Sequence, residues 1–239
     1  MHLGVRRSSV VNRRFAFMPD SLGFALFVLA VLLVLGWFAV GTQYNVRRGN
    51  RALAWLQQGL PLVGAKTTLR WLGSSVVELR LAQAKDPFRT VEVMVVLEPR
   101  DIPIFWALGH WEGRRDLIIL RAQLVRAPKF DLEARGMKTW NAAGATRDPT
   151  RASFGASKWT TLDGQVNGLR ADYRGEVSPD VVKQLLGSTE FDGITLTRLT
   201  VSRRVPNLEL HFLFPNFERV SAARVFANLR DLSETALKI

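Results

Sequence analysis

LGFALFVLAVLLVLGWFAV, residues Leu22 to Val40, decides the architecture. These 19 residues carry no charge, and Trp37 is their one side-chain donor. A helix of that length spans roughly 28 Å, against a hydrocarbon thickness of about 30 Å. Thirteen of the 19 are Leu, Val or Phe, so insertion into a bilayer is favourable. Trp37 and Tyr44 fall where an interfacial aromatic belt forms on the C-terminal side. No second stretch of this kind exists in the sequence, so the reading is a single-pass protein.

Outward from the span the charge is positive. The 239 residues hold 33 Lys and Arg against 21 Asp and Glu, a net +12, and 26 of the 33 are Arg. Residues 1–21 form a basic arm with Arg6, Arg7, Arg13 and Arg14, and Arg47, Arg48 and Arg51 follow the span. A cleavable signal peptide is the competing reading of the first 41 residues. Its h-region normally runs about 7–15 residues, shorter than this one. The Arg13-Arg14 pair invites a twin-arginine reading, which Phe15-Ala16-Phe17 fits poorly. Four Arg before the span against three after leave orientation undecided by charge.

The expected organisation is the arm, a transmembrane helix at 22–41, a juxtamembrane helix at 42–63 and a soluble α+β domain at 64–239. The juxtamembrane stripe is Ala52, Leu53, Leu56 and Leu60, and Gly59 with Pro61 stops the helix near Gln58. Strand signals lie at 67–72, 76–82, 90–97, 117–124, 194–202 and 208–214, several with clear alternation. The run at 117–124 is nearly continuous and apolar, as expected of a central strand. Gly73-Ser74-Ser75 and Asp86-Pro87 read as turns of an antiparallel meander. Ser178-Pro179-Asp180 opens a helix that ends at Gly187. The last helix is expected from about Asn216 to Ala236, with Val225, Phe226, Leu229, Leu232 and Ala236 inward. The stretch 137–157, rich in Gly, Ala, Thr and Arg, reads as a loop joining two halves.

Chemistry is harder to find. Cys is absent, which excludes disulfides, thiolate metal sites and Cys nucleophiles. The three His, at 2, 110 and 211, form no ligand motif, and neither GxGxxG nor a P-loop occurs. No metal, cofactor or catalytic residue is assigned, and the expectation is a non-enzymatic protein. A membrane-bound hydrolase stays open as a minor reading, with His110 and Glu112 as its best candidates. Asp101, Asp116, Asp131, Asp163, Asp172 and Asp192 are scattered, and nothing pairs them.

Two groups are candidate contact residues. Arg47, Arg48, Arg51, Arg114, Arg115, Arg203 and Arg204 are candidates for headgroup or RNA phosphate, or are solvated turns. The segment IPIFWALGHW, residues 102–111, opens with Pro103 as a helix would. Its first reading is a core helix. The alternative is a partner-binding or lipid-dipping helix, with Ile104, Phe105, Trp106 and Trp111 in contact.

The order of features resembles the calumin family, coiled-coil-containing endoplasmic reticulum membrane proteins. One span leads into a positive helix with Asn50, Ala52, Leu53 and Trp55. Then follow Trp71-Leu72-Gly73, VVELRLAQ, TVEVMVVL and LELHFLFP before a closing helix. The resemblance runs over roughly residues 22–237. It implies a cytosolic α+β domain and a role in the PAT complex of the multipass translocon. There the family acts with the small membrane protein Asterix to shield and insert transmembrane helices. On this reading the chain is a minimal relative, in an endoplasmic reticulum or prokaryotic cell membrane. It lacks the acidic N-terminal region and the basic coiled-coil tail. Expected partners are membrane lipid, translocon or insertase components and client proteins. Ribosome contact is open because it belongs to the missing tail, and DNA is not expected. The alternative is an exported, membrane-tethered envelope domain that binds lipid or a protein.

Overall fold

The computed structural model describes residues 21–136, 159–191 and 193–239. The expected loop at 137–157, the basic arm up to residue 20 and Asp192 lie outside them. The chain divides between Gly36 and Trp37 into two units. In the first, residues 21–36 are helical and wholly exposed. They belong to α1 (Ser21–Gln57), a helix long and apolar enough to cross a membrane.

The second unit begins inside the same helix. From Trp37 the helix acquires a buried stripe: Gly41, Asn45, Gly49, Ala52, Leu53, Trp55 and Leu56. A 3-10 turn at Leu60–Leu62 then reverses the chain. Nine strands follow among the described residues: β1 (Gly64–Trp71), β2 (Val76–Ala84), β3 (Phe88–Val96), β4 (Leu117–Leu124), β5 (Phe130–Gly136), β6 (Thr160–Thr161), β7 (Leu169–Gly175), β8 (Leu196–Val201) and β9 (Leu208–Leu213). Helix α2 (Pro103–Trp111) lies between β3 and β4, α3 (Pro179–Gly187) between β7 and β8, and α4 (Ala222–Lys238) closes the chain.

All nine strands join one antiparallel sheet in the order β1-β2-β3-β4-β9-β8-β5-β7-β6. The fold is α+β, with β1 to β4 as the expected meander. The domain is not built as two halves side by side. Strand β5 inserts between β8 and β7, so both stretches of sequence interleave in one sheet. Alternation reveals that a strand exists, but pairing order depends on long-range packing that a period of two does not encode.

One face of the sheet is apolar because alternation puts Val77, Leu79 and Leu81, then Val91, Val93 and Val95, on one side. Ile118, Leu120, Leu210, Phe212, Leu199, Leu132 and Ala171 continue it across the remaining strands. The lower half of α1 and the helices α3 and α4 supply its cover through Trp55, Leu56, Val182, Leu185, Phe226 and Leu229. Ser178 caps α3, its hydroxyl accepting from the Val181 amide at 3.4 Å, with Pro179 at the first position. Helix α4 starts at Ala222, six residues later than the stripe suggests. Residues 216–220 form a turn instead, because Asn216 Oδ1 accepts the Glu218 amide and Phe217 packs on Trp55.

The opposite face is charged, and the register lines it up in rows. Thr68, Arg80, Glu92, Arg121, Glu209, Thr200, Glu133, Asp172 and Thr161 follow one another across all nine strands. Opposite charges therefore meet as cross-strand neighbours. Arg121 Nε donates to Glu209 Oε2 at 2.8 Å, and the His211 ring nitrogen Nε2 lies 2.6 Å from Glu209 Oε1. Strand-period spacing places His211 opposite the apolar residues of β9, and it is buried there by this ion-paired layer. Burial pushes the Glu209 carboxyl up. The hydrogen bond and charge of His211, together with Arg121, outweigh that and hold it at about 2, against an ordinary 4.5. The folded value lies below the unfolded one. The stabilisation is thus complete above about pH 4.5 and is lost as pH falls towards 2. The variant Glu209→Gln is expected to be less stable than wild type near neutrality. Its melting temperature in detergent is expected to fall less steeply between pH 4.5 and 2, because one proton-linked step is gone.

Candidate functional site: the foot of the span

At the end of the apolar run, α1 meets the β3–β4 connection through a buried polar knot. Gly41 comes first: a Cβ there would lie 2.2 Å from the Arg100 carbonyl oxygen, so only glycine permits this approach. One turn on, Asn45 is fully buried. Its Nδ2 donates to the Glu98 carbonyl at 2.9 Å and to Ser75 Oγ at 3.3 Å, and its Oδ1 accepts from Arg100 at 3.3 Å. Another turn on, a Cβ at Gly49 would lie 2.7 Å from the Trp71 ring. Spacing by four puts all three on one helix face.

Asp116, just before β4, is the centre of the knot. Its carboxylate accepts from Arg100 Nη1 at 2.9 Å, Arg100 Nη2 at 3.1 Å and the Glu98 amide at 2.8 Å, and it pairs with Arg48 of α1. Two-point binding by the Arg100 guanidinium fixes its plane. The Arg100 guanidinium also lies 5.2 Å from the centre of the Tyr44 ring, and that of Arg48 lies 5.3 Å from the Phe214 ring.

Helix α2 hangs from the same knot. Trp106 Nε1 donates to Glu98 Oε2 at 2.9 Å, and His110 Nδ1 meets that oxygen at 2.9 Å. Trp37 Nε1 donates to the Arg100 carbonyl at 2.9 Å, and its ring lies 6.1 Å from that of Trp106. The core-helix reading of 102–111 is overturned: no residue of α2 is buried. The reason is geometric. At about 100° per residue, Trp106 and His110 share one side and bind Glu98, while Ile104, Leu108 and Trp111 share the other with Phe105 at its margin. Those four are 68%, 51%, 87% and 61% exposed. Of the expected contacts, Ile104, Phe105 and Trp111 face outward, and Trp106 is turned inward as an anchor.

The arginines separate in the same way. Arg47 and Arg51 are exposed on α1, whereas Arg48 turns inward to Asp116. Arg115 follows α2 and donates to the His110 carbonyl at 2.9 Å, with Arg114 half-buried beside it. Arg203 and Arg204 lie at the other end of the strands, where Asn207 Oδ1 accepts the Leu124 amide. The eight residues of β4 separate these ends by about 24 Å, so the seven arginines do not form one surface. Arg203 is also committed locally, donating to the buried Asp131 through Nε at 3.0 Å. Asp131 further accepts from Arg174 Nε at 3.0 Å. Burial raises its pKa, and the Arg203 amide and both guanidiniums bring it below the usual carboxylate range.

His110 pairs with Glu98, and Glu112 is exposed beyond the helix end. Among the described residues there is no cluster of three or more metal-ligating His, Asp or Glu side chains. The chain matches no protein-family model, and no curated protein matches it in sequence.

Sequence reasoning missed Asn45, Glu98, Arg100 and Asp116. The signal was the Gly41, Asn45, Gly49 spacing at the exit of an apolar helix. It marks a face that another backbone approaches closely. Removing the central carboxylate takes the Asp116 pair from Arg48 and leaves Arg100 paired with Glu98 alone, at 3.2 Å. Asp116→Ala is expected to cost about 3 kcal/mol, the low end for a broken buried pair because Arg48 is a third exposed. Denaturant unfolding of wild type and variant in the same detergent measures it. A loss below about 0.5 kcal/mol would show that the knot does not hold α1.

Proposed function

We propose that the chain is a non-enzymatic, single-pass membrane protein that assists the insertion or assembly of multipass membrane proteins. The observation that carries this reading is the unbroken helix α1. Its N-terminal half is apolar and exposed, and its C-terminal half is a wall of the folded domain. The knot at Asn45 and Asp116 ties residues 41–49 of α1 to the β3–β4 connection within the folded domain. The resemblance to the calumin family points the same way, with a cytosolic domain acting beside translocon or insertase components.

The exported-envelope reading shares the anchor and the domain but needs the opposite topology. A C-terminal tag probed by protease in sealed, oriented vesicles separates the two. The expected result is a tag on the cytosolic side, with translocon or insertase components recovered after gentle crosslinking of the intact protein. Loss of the protein is expected to lower steady-state levels of multipass proteins more than those of single-pass ones. An external tag, or unchanged multipass levels without crosslinked insertion components, would sink the insertion reading.

A further inference from the structure

We propose that α2 is a second membrane contact. Its exposed side is seated in the headgroup–acyl boundary of the leaflet from which α1 emerges. This inference rests on the reading of residues 22–40 as a membrane span, and it adds a surface that reading does not require.

The exposed side of α2 carries Ile104, Phe105, Leu108 and Trp111, and the helix holds no charged residue from Pro103 to Trp111. The usual fate of such a side chain set is burial, yet here the side turned to the domain carries Trp106 and the half-exposed His110, both bound to Glu98. The protein thus spends its polar contacts on holding an apolar wedge outward. Interfacial helices insert their apolar side by about 5–10 Å, within reach of Phe and Trp side chains on a helix lying in the plane.

Position identifies the occupant. Trp106 stacks against Trp37, the residue near the end of the apolar run, and Trp37 is itself tied to Arg100. Trp is enriched at the membrane–water boundary, so a Trp pair at this point marks the level of the interface. The apolar surface of α2 then continues that of Phe38 and Val40, both more than half exposed. Exposed Arg115, four residues after the end of α2, is a favourable partner for anionic headgroups. A protein partner fits less well. Four side chains on a nine-residue helix fall short of the roughly 800 Å² per side of a standard interface.

The absence of Cys makes the test direct. Single cysteines are placed by Phe105→Cys, Leu108→Cys or Trp111→Cys in the full chain and labelled with an environment-sensitive fluorophore. Leu29→Cys marks the span and Lys183→Cys, exposed on α3, marks water. Each protein is reconstituted in vesicles of zwitterionic lipid with a third anionic lipid, with and without lipids carrying a nitroxide quencher on the acyl chain. The expected result is blue-shifted emission and strong quenching at 105, 108 and 111, intermediate in depth between 29 and 183. Water-like emission without quenching at all three, while position 29 is quenched, would overturn the inference. Blue-shifted emission without lipid quenching would overturn it too, and would mean that a second copy covers α2. If position 29 also reads as water, the span reading has failed and this inference falls with it.

Discussion

Asp116 binds two guanidiniums and a backbone amide in a place that water barely reaches, and the packing of the second half of α1 on the sheet follows from it. Arg48 comes from the helix, Arg100 and the Glu98 amide from the connection after β3, and Asp116 from the start of β4. Three parts of the chain are thereby fixed at one point. Such a cluster adds little net stability over well-packed apolar residues, since each charge loses its hydration. What it supplies is register. An apolar stripe such as Ala52, Leu53 and Leu56 tolerates sliding by a turn along the sheet. A carboxylate that must meet Arg48 on one side and Arg100 on the other does not. Gly41 and Gly49 complete the selection, because only this register puts residues without side chains where Arg100 and Trp71 press against the helix.

The elements that were legible in the sequence are those whose physical pattern is local. The apolar run, the strands with Val or Leu at every second position and the helix capped by Ser178 depend on near neighbours. Strands β5 and β7 alternate just as strictly, with Phe130, Leu132 and Ala134 inward and Asp131, Glu133 and Arg135 outward. Their short apolar sides and charged outer sides read as polar chain until the rest of the sheet supplies partners. Helix α2 shows the opposite failure. Its composition argues for burial, but Trp106 and His110 find their hydrogen-bond acceptor in a glutamate five residues before the helix begins. The resulting outward face is a consequence of tertiary structure. Asp116 and Glu98 carried no motif at all, since a knot made by three distant segments has no spacing.

The charged face of the sheet is a different solution to the same problem of covering a nine-stranded surface. Helices protect one side. On the other, antiparallel register sets Arg80 against Glu92 and Arg121 against Glu209, and Arg198 reaches diagonally to Glu133, so side chains shield each other. Residues as polar as Glu78, Glu133 and His211 are buried there without a covering element of secondary structure among the described residues. Where the register lines up like charges, as in Arg170, Arg135, Arg198 and His211, carboxylates of the neighbouring row reach across to them: Glu133 accepts from Arg135 and Arg198, and Glu209 pairs with His211.

The indole of Trp55 donates to the Val220 carbonyl at 2.7 Å across 165 residues of sequence, and α4 begins two residues beyond. The cover of the apolar face is therefore made from the two extremes of the domain, one produced first and one last. While the chain is being synthesised, α1 is complete early, but the strands it packs against remain open along the flank that α4 will occupy. The sheet must therefore spend an interval with its apolar face incompletely covered, until α4 closes it. A protein read as a guardian of unfinished membrane proteins passes through an unfinished state of its own.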